Sequence, residues 1–422
     1  MFVRSLATCL ILHLAFASYT NAARDASAAR FSDEVRSQLK RGHPQDALTA
    51  YEQLVKATGA DDPRLLHDVA LAFITPLLKD MREQMRGAAY TALKEIGTDD
   101  TIPYLEDGVS DGTSGVRWLA VEALGLLPDG RRSPRLRQAL EDRAAEVRRA
   151  AVKALAREPD GTALSLIEKA VQDEHPFVRV AAAAALAKAG RRDMLEKLMG
   201  YARASNPEER GEAFRALGRL NDPAGVEILE HALQDTQPSI RGSAAEALGE
   251  LHVQAAVGRL TALLRDPIPA VRSAAVVGLG EIGSPDAQAA VQTATRDPNP
   301  IVRSAAVGAL LRSGAGYGAV EPTMRELLSH ADPGVRASLP RGLAKTTAPE
   351  AFDALRILLG DSLPRPRIAA ARALGHVADA RALHALKGAL RDQDDAVRAT
   401  AAGAIGRLLN QSGRRADVGN LS

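Results

Sequence analysis

An arginine recurs along this chain at an almost constant interval. Nine of the ten intervals are 31 residues, and the remaining one, between Arg303 and Arg336, is 33. A fixed period of about 20–50 residues is typical of solenoids and other repeat architectures. The chain is therefore expected to fold as an array of similar units with a long repetitive surface. The arginines are Arg86, Arg117, Arg148, Arg179, Arg210, Arg241, Arg272, Arg303, Arg336, Arg367 and Arg398.

The residues after each arginine form a helical pattern. The third residue is alanine in ten of the eleven repeats, with Leu339 the exception, and the seventh is leucine except for Ile405. With the Val or Ile that usually precedes the arginine, these positions make one stripe of an α-helix. A second amphipathic run, such as 224–234, lies upstream of each arginine. Each unit is therefore predicted to be a helix–turn–helix that buries its apolar stripe by stacking on its neighbours.

An aspartate lies six residues before the arginine in nine of the eleven repeats, with Ala204 and His330 as the exceptions. Aspartate at this point can accept hydrogen bonds from the free N–H groups that open the second helix. The arginines could instead bind an acidic ligand. The almost one-to-one match of the two residue types favours a structural ladder, in which each arginine bonds the turn aspartate of its own or the next repeat. The ladder residues are Asp111, Arg117, Asp142, Arg148, Asp173, Arg179, Asp235, Arg241, Asp266, Arg272, Asp297 and Arg303.

These units resemble HEAT repeats of the short type found in phycobilin lyase subunits, over roughly residues 63–409. The resemblance implies an all-α fold, an α-solenoid or superhelix of about eleven helix–turn–helix repeats. It also implies, most often, a protein-binding scaffold. Because HEAT arrays serve many roles, the fold alone does not identify a partner.

The first residues of the chain have the pattern of a secretory signal peptide. A basic start, Met1–Arg4, precedes an apolar core at 6–17 that is short for a membrane span. Small residues then allow cleavage after Ala17 or Ala22, so residues 1–22 are predicted to be removed and the protein to be periplasmic or secreted. Cys9 is the only cysteine. The mature chain would then have neither disulfides nor thiolate chemistry.

Residues 23–62 and 410–422 lie outside the repeat pattern. The segment from Gly42 resembles the second half of a tetratricopeptide unit, with Gly42, Ala47 and Tyr51 in the expected relative places. Residues 23–62 are predicted to be a linker and an N-terminal helical cap over the exposed face of the first repeat, since solenoids need such caps. The polar segment 410–422 is predicted to be a disordered tail.

Charge and motifs narrow the function. The net charge of +2 argues against a general nucleic-acid binder. The chain has no second long apolar run, so no membrane span is predicted in the mature chain. The glycine motif at 278–283 closes a second helix, whereas a dinucleotide site would need it after a strand. We expect a non-catalytic scaffold of the cell envelope that holds a protein or peptide partner, without cofactor, metal or catalytic residues. The alternative is a lyase-like or other cofactor-handling enzyme of the same family.

In HEAT arrays the second helices generally line a concave groove. The first and fifth residues after each arginine are expected to face this groove, since they lie four residues apart on one helix face. The groove would be mixed in charge near the N-terminus and small and uncharged towards Gly308. Trp118 is the strongest single candidate for a partner anchor, because exposed tryptophan is enriched in binding hot spots; it could instead pack against the N-terminal helices. The candidate groove residues are Trp118, Glu122, Arg149, Lys153, Arg215 and Glu246.

One repeat is irregular. Two residues are inserted before Arg336, and Pro340 falls inside the second helix. Proline removes a backbone hydrogen bond and clashes with the preceding turn, at a cost of about 3 kcal/mol in a helix interior. A kinked or shortened helix is therefore predicted near 333–344, either as a functional hinge or as a tolerated remnant of repeat duplication.

Overall fold

A computed structural model of the chain describes residues 25–419 apart from 345, 347, 378 and 380, with side chains to residue 412. The described residues form helices and no β-strand. A helix over residues 25–40 (α1) and α2 (Pro44–Thr58) precede the repeats. The predicted signal peptide at 1–22 lies outside the described residues, as do residues 420–422 of the predicted tail.

Each repeat consists of a first and a second helix, numbered here as repeats 1–11. The first helices are α3 (Pro63–Ile74), α5 (Ile102–Gly108), α7 (Pro134–Gln138), α9 (Gly161–Ala170), α11 (Arg192–Tyr201), α13 (Val226–Ala232), α15 (Val257–Leu263), α17 (Pro285–Ala294), α19 (Glu321–Leu328), α22 (Pro349–Leu359) and α24 (Arg381–Ala389). The second helices are α4 (Glu83–Ile96), α6 (Ser114–Leu124), α8 (Ala145–Leu155), α10 (Pro176–Lys188), α12 (Pro207–Leu220), α14 (Pro238–Glu250), α16 (Pro269–Ile282), α18 (Pro300–Arg312), the pair α20 (Pro333–Arg336) and α21 (Leu339–Leu343), α23 (Pro364–Leu374) and α25 (Asp395–Gly419).

The second helices stack side by side and form the main core. The leucine at the seventh position is fully buried, as Leu124, Leu248 and Leu279 show, and burying such a side chain is worth about 2 kcal/mol. The small residue at the sixth position allows close approach. A Cβ atom at Gly278 would lie 2.4 Å from the carbonyl oxygen of Ala245 on the neighbouring helix. The alanine and glycine columns therefore set the distance between repeats.

The array closes into a ring. The last second helix, α25, packs on α3 and α4 of repeat 1, a contact that we call the closing seam. Arg407 Nη1 lies 3.0 Å from Glu95 Oε2, and Asn410 donates to the carbonyl oxygen of Gly97 at 3.0 Å. On the first-helix side, Lys387 Nζ lies 2.7 Å from Asp61 Oδ1. The solenoid predicted from the repeats is therefore a closed ring, with repeat 11 beside repeat 1.

The closing seam differs in register from most of the other interfaces. Between ordinary repeats, the eighth residue after one arginine meets the sixth residue of the next repeat, as Gly218 meets Ala247 and Gly280 meets Ala309. At the seam, the eighth residue, Gly406, meets Ile96, which is the tenth. The last helix is thus displaced by three to four residues, about one helical turn or ~5 Å. The interface between repeats 8 and 9 has a similar displacement, since the fifth residue Gly308 meets the sixth residue Gly342, as Gly403 meets Ala92 at the seam. The displacement along the helix axes is therefore divided between two interfaces.

Ring closure bears on two predictions about the chain ends. The α3–α4 face of repeat 1, which the N-terminal helices were expected to cover, is covered by α25. The segment 410–422 was expected to be disordered, but α25 continues to Gly419. The cap was predicted because a solenoid has a free first face, and the disordered tail was predicted because the segment is polar. In the ring, Asn410 still contacts repeat 1, so helix beyond residue 409 has a surface to pack on.

The irregular second helix of repeat 9 is broken in two. The first piece, α20, ends at Arg336, and α21 begins at Leu339, so the break falls at residues 337–338. Pro340 occupies the first turn of α21, where a missing N–H costs little. The break predicted near 333–344 is therefore present, and the proline starts the second piece instead of interrupting a continuous helix.

Candidate functional site

The arginine–aspartate ladder runs between repeats on the turn side of the second helices. Arg117 Nε donates to Asp142 Oδ2 of the next repeat at 2.7 Å, and its Nη1 donates to the carbonyl oxygen of Asp111 in its own turn at 3.0 Å. Asp142 also accepts from the Ala144 N–H at 2.8 Å. Each such aspartate thereby fixes the turn before its own helix and anchors the arginine of the preceding repeat, while the helix that follows Asp142 begins at Ala144 without a side-chain cap. The same pairing joins Arg86 to Asp111, Arg148 to Asp173, Arg210 to Asp235, Arg241 to Asp266, Arg272 to Asp297, Arg336 to Asp361 and Arg367 to Asp392.

Other acids complete the ladder where the turn aspartate is missing. Arg179, facing Ala204, pairs with Glu209 at 2.8 Å, and Arg303, facing His330, pairs with Glu326 at 2.5 Å. These glutamates lie outside the aspartate column, so the column pattern did not identify them. Their presence indicates that each ladder arginine needs an anion because its guanidinium is largely removed from water.

Burial and hydrogen bonding oppose each other at the ladder aspartates. Burial alone would raise the pKa of Asp142, but the Arg117 guanidinium and the Ala144 N–H lower it below the ordinary aspartate value of 3.8. Asp173 and Asp266 show the same balance and also have lowered pKa values. The ladder aspartates are therefore ionised at neutral pH and pair with the ladder arginines. This pairing leaves these arginines unavailable to a ligand.

The concave side of the ring is formed by the second helices. Lys153 Nζ in repeat 3 lies 3.1 Å from Glu212 Oε1 in repeat 5, so their side chains meet across repeat 4. A single pocket of 660 Å³ is lined by residues from repeats 6 to 10. Side chains from non-adjacent repeats can meet in this way only on the inner side of a curve. We call the pocket the inner pocket.

The two groove columns predicted from the sequence line this inner side. The first-position residues Ser273, Ser304, Ala337 and Ile368 all line the inner pocket. The fifth-position residues in the lining are Glu246, Val277, Arg341 and Arg372. In repeats 6–10 both columns therefore contribute to the lining of the inner pocket, and Glu246 is the one candidate groove residue among them.

Most of the predicted charged groove residues are paired within the protein. Arg149, Lys153 and Arg215 all approach Glu212, at 3.5, 3.1 and 3.0 Å; we call these four residues the Glu212 cluster. The Glu212 side chain is only 3% exposed. Burial alone would raise its pKa, but Lys153, Arg215 and Arg149 lower it below the ordinary value, while burial lowers the pKa of Lys153. The sequence prediction missed Glu212, the only charged residue at the second position after any of the eleven arginines.

The remaining predicted groove residues have different surroundings. Glu122 pairs with Lys94 at 2.7 Å. Trp118 is partly buried and packs against the hydrophobic core. Glu246 lies at one end of the inner pocket, where burial raises the pKa of its carboxyl, the nearby Glu250 adds to this, and Arg215 opposes it. Trp118 thus remains a candidate anchor, while Glu122 is already neutralised by its neighbour.

The inner pocket carries an excess of positive charge. Its described lining contains four arginines, Arg312, Arg341, Arg365 and Arg372, against two glutamates, Glu246 and Glu281. Arg312 lies 3.9 Å from Glu281. No acidic side chain among the described residues lies within ion-pair distance of the other three arginines, although Arg372 is close enough to lower the pKa of Glu95. The sequence prediction of a small, uncharged groove applies only as far as Gly308, because the fifth positions of repeats 9 and 10 are Arg341 and Arg372.

The described lining of the inner pocket has a restricted set of side chains. Its described lining contains serines, small apolar residues, arginines and two glutamates, but neither histidine, lysine, cysteine nor tyrosine. In the described part of the chain, no group of three or more His, Cys, Asp or Glu side chains is arranged to hold a metal ion. None of the described helices is both long and apolar enough to cross a bilayer.

The family comparison agrees with the repeat structure. A family model described as HEAT repeats matches residues 33–125, 71–156, 133–209, 198–267, 257–320, 290–366 and 354–416. No curated protein matches the sequence. The matched segments together span the whole ring.

Three solved structures are similar to parts of this chain. Human deoxyhypusine hydroxylase in complex with glycerol is 23% identical over 61% of this chain and 98% of that chain, with a TM-score of 0.31. The complex of CpcE and CpcF of phycocyanin lyase from Nostoc sp. PCC7120 is 21% identical over 60% and 96%, with a TM-score of 0.40. An engineered protein is 20% identical over 80% and 98%, with a TM-score of 0.29. Similarity at this level does not identify a function.

Proposed function

The chain belongs to the HEAT-repeat family, and we propose that it is a non-catalytic binding scaffold that holds a segment of a partner protein on the inner surface of its ring. The observation that carries this proposal is the inner pocket, whose lining draws on five successive repeats. Concave surfaces built from successive repeats are the usual binding surfaces of solenoids.

A binding role is favoured over catalysis by the composition of the inner pocket. General acid–base and nucleophilic catalysis depend mostly on histidine, carboxylates, lysine, cysteine or activated serine held beside a base. The pocket serines Ser273, Ser304 and Ser338 have no described histidine or lysine in the lining beside them. The carboxylates in the lining are Glu246 and Glu281, and Glu281 faces Arg312. The Ser338 hydroxyl donates to the carbonyl oxygen of Val335 at 2.6 Å, which occupies its proton in a structural bond.

The cell envelope is the proposed location, on the basis of the signal-peptide pattern at 1–22. The direct measurement is the N-terminal sequence of the protein recovered from its source. A mature chain that begins at Ala23 or Ser18 in the envelope or secreted fraction is expected. An unprocessed chain that begins at Met1 would contradict this location.

Site-specific photo-crosslinking tests the proposed binding surface. A photo-reactive amino acid at Ile368, in the inner pocket, is compared with one at Ile357, which is 54% exposed on the first helix α22. The two isoleucines lie in the same repeat on different helices, so they form a matched pair. A discrete crosslinked partner is expected from position 368 and not from 357. Equal crosslinking from both positions, or from 357 alone, would contradict binding on the inner surface.

A further inference from the structure

We propose that the inner pocket recognises a short acidic peptide segment, and that Arg341, Arg365 and Arg372 bind its carboxylates. This inference rests on the proposed function and adds the chemistry of the partner. Arg341 and Arg372 occupy the fifth position of their helices, which lines the concave side, and Arg365 lies just before the second-helix arginine of repeat 10. All three side chains belong to exposed residues.

The lack of an ion pair distinguishes these three arginines from the ladder arginines and from the cations of the Glu212 cluster. The ladder arginines are paired with aspartates or glutamates, and the cations of the Glu212 cluster share one carboxylate. Arg341 and Arg365 have no acidic partner among the described residues, and Arg372 acts on Glu95 only at longer range. Arginine presents a planar set of donors that matches a carboxylate in a bidentate arrangement. The inner pocket therefore offers such donors on the concave side, whereas the arginines of the ladder and of the Glu212 cluster are already paired.

The pocket floor suits a peptide backbone. Ser304, Ala305, Ala337 and Gly342 share the lining with the arginines, and their small side chains leave room for main chain to approach. Gly308 and Gly342 are in contact, since a Cβ atom at Gly308 would lie 2.4 Å from the Cα of Gly342. Repeats 8 and 9 are thus drawn close together at the pocket, whose lining includes Gly342.

The ring restricts the partner to a segment. Eleven second helices with axes about 9 Å apart would enclose an opening of at most about 20 Å after side chains are allowed for. A small folded domain is about 30 Å across, so it cannot enter, whereas an extended strand or a single helix can. Because α25 closes on α3 and α4, the partner enters through a face of the ring and not by wrapping from its side.

A peptide is favoured over a nucleic acid. The described lining contains no aromatic side chain on which bases could stack, and stacking is a main source of single-strand binding. Glu246 and Glu281 at one side of the pocket would repel a continuous polyphosphate, whereas spaced carboxylates on a peptide can avoid them. The net charge of +2 gives no general attraction for polyanions.

Fluorescence anisotropy with defined peptides tests the proposal. The probe is a labelled peptide rich in glutamate, and its control is the same peptide with glutamine at every glutamate. The full chain from residue 23 is compared with the double variant Arg341→Gln, Arg372→Gln and with Arg356→Gln. Arg356 is an exposed arginine on α22 of repeat 10 and lies outside the inner pocket, so it is the matched control.

The acidic peptide is expected to bind the wild-type ring more tightly than the glutamine peptide and to bind more weakly as salt rises. Each lost arginine is expected to weaken the Kd about tenfold, which corresponds to one charge-assisted hydrogen bond, while Arg356→Gln leaves it unchanged. Because these side chains are exposed and none of them has an ion pair among the described residues, the variants should melt at the wild-type temperature.

Three outcomes would overturn the proposal. The first is equal affinity of the wild-type ring for the two peptides. The second is a loss of affinity in Arg356→Gln equal to that in the double variant. The third is tighter binding of a single-stranded oligonucleotide that displaces the acidic peptide. The third outcome would assign the pocket to nucleic acid. In the first two cases, crosslinking from Ile368 and not from Ile357 would still support the scaffold with a partner of different chemistry. Equal crosslinking from Ile368 and Ile357 would contradict the proposed scaffold function as well.

Discussion

Gly403 of the last repeat packs directly on Ala92 of the first. A Cβ atom at Gly403 would lie 2.7 Å from the Cα of Ala92 and 2.8 Å from its carbonyl oxygen. Both neighbouring atoms belong to backbone, so neither can move away as the end of a flexible side chain would. The closing seam therefore requires glycine at position 403.

Gly403→Ala should weaken ring closure. The added methyl group forces α25 away from α4, and overpacking of this kind costs about 1–3 kcal/mol. Gly388→Ala is the matched control, because Gly388 lies in the neighbouring helix α24 and a Cβ there meets nothing within 4 Å. Thermal melting should show a lower Tm for the first variant and an equal or higher Tm for the second. Equal Tm values for both variants would contradict tight packing at the seam.

The ladder supplies a second prediction. Asp142→Asn removes the anion beside Arg117, whose side chain is only 6% exposed. Leaving a buried guanidinium without its carboxylate should lower the free energy of unfolding by about 3 kcal/mol. Asp129→Asn breaks the Arg132 pair, in which both side chains are more than half exposed, and should change stability by less than about 1 kcal/mol. Urea unfolding measures both, and similar losses in the two variants would argue against the ladder as a stabilising element.

The lowered pKa values of the ladder aspartates predict acid sensitivity. A carboxyl whose pKa is lowered by folding binds fewer protons in the native state than in the unfolded state. Its stabilising contribution is full above the ordinary aspartate pKa of 3.8 and is lost as pH falls through the lowered native value. Chemical unfolding between pH 7 and pH 2 should show stability that decreases below about pH 4. In Asp142→Asn this decrease should be smaller; an identical pH profile would contradict the assignment.

Two neighbouring glutamates should respond in opposite directions. Glu212→Gln removes the shared carboxylate of Arg149, Lys153 and Arg215 and should destabilise the ring by about 3 kcal/mol. Glu246 has a raised pKa, with burial as its largest cause, so its charge opposes folding at neutral pH. Glu246→Gln should therefore leave stability unchanged or increase it. Destabilisation of similar size in both variants would contradict these assignments.

The repeats were predictable because each is specified locally. The spacing of Arg117 and Asp111 within one repeat indicates the turn, and the alanine and leucine columns indicate the buried stripe. The sequence left open whether Arg117 pairs with the aspartate of its own repeat or of the next, and the stacking of neighbouring repeats selects Asp142. The first and fifth positions likewise gave the concave surface, since they follow from helix geometry alone.

Ring closure was not predictable from the repeat pattern. It depends on the sum of small rotations over all the repeats, and no single sequence position records that sum. Gly403 and Gly406 are the residues that carry a signal, because both face repeat 1 where side chains would clash. At the seam, the regular ladder ion pair would join Arg398 to Asp80. Instead, Arg398 pairs with Asp395 of its own helix, and Arg82 of repeat 1 pairs with both Asp395 and Asp80. Glu212 was missed for a similar reason, since it joins repeats 3 and 5 through space.

The most direct test of the closed ring is a distance measurement across the seam. Cysteines at Glu52 and Arg391, whose side chains are 2.8 Å apart and partly exposed, carry spin labels in the chain from residue 23, which has no other cysteine. A closed ring predicts one short and narrow distance distribution in solution, and the same pair with Gly403→Ala should give a longer or broader one. A broad distribution at long distances in the wild-type background would show an open solenoid and would contradict the account.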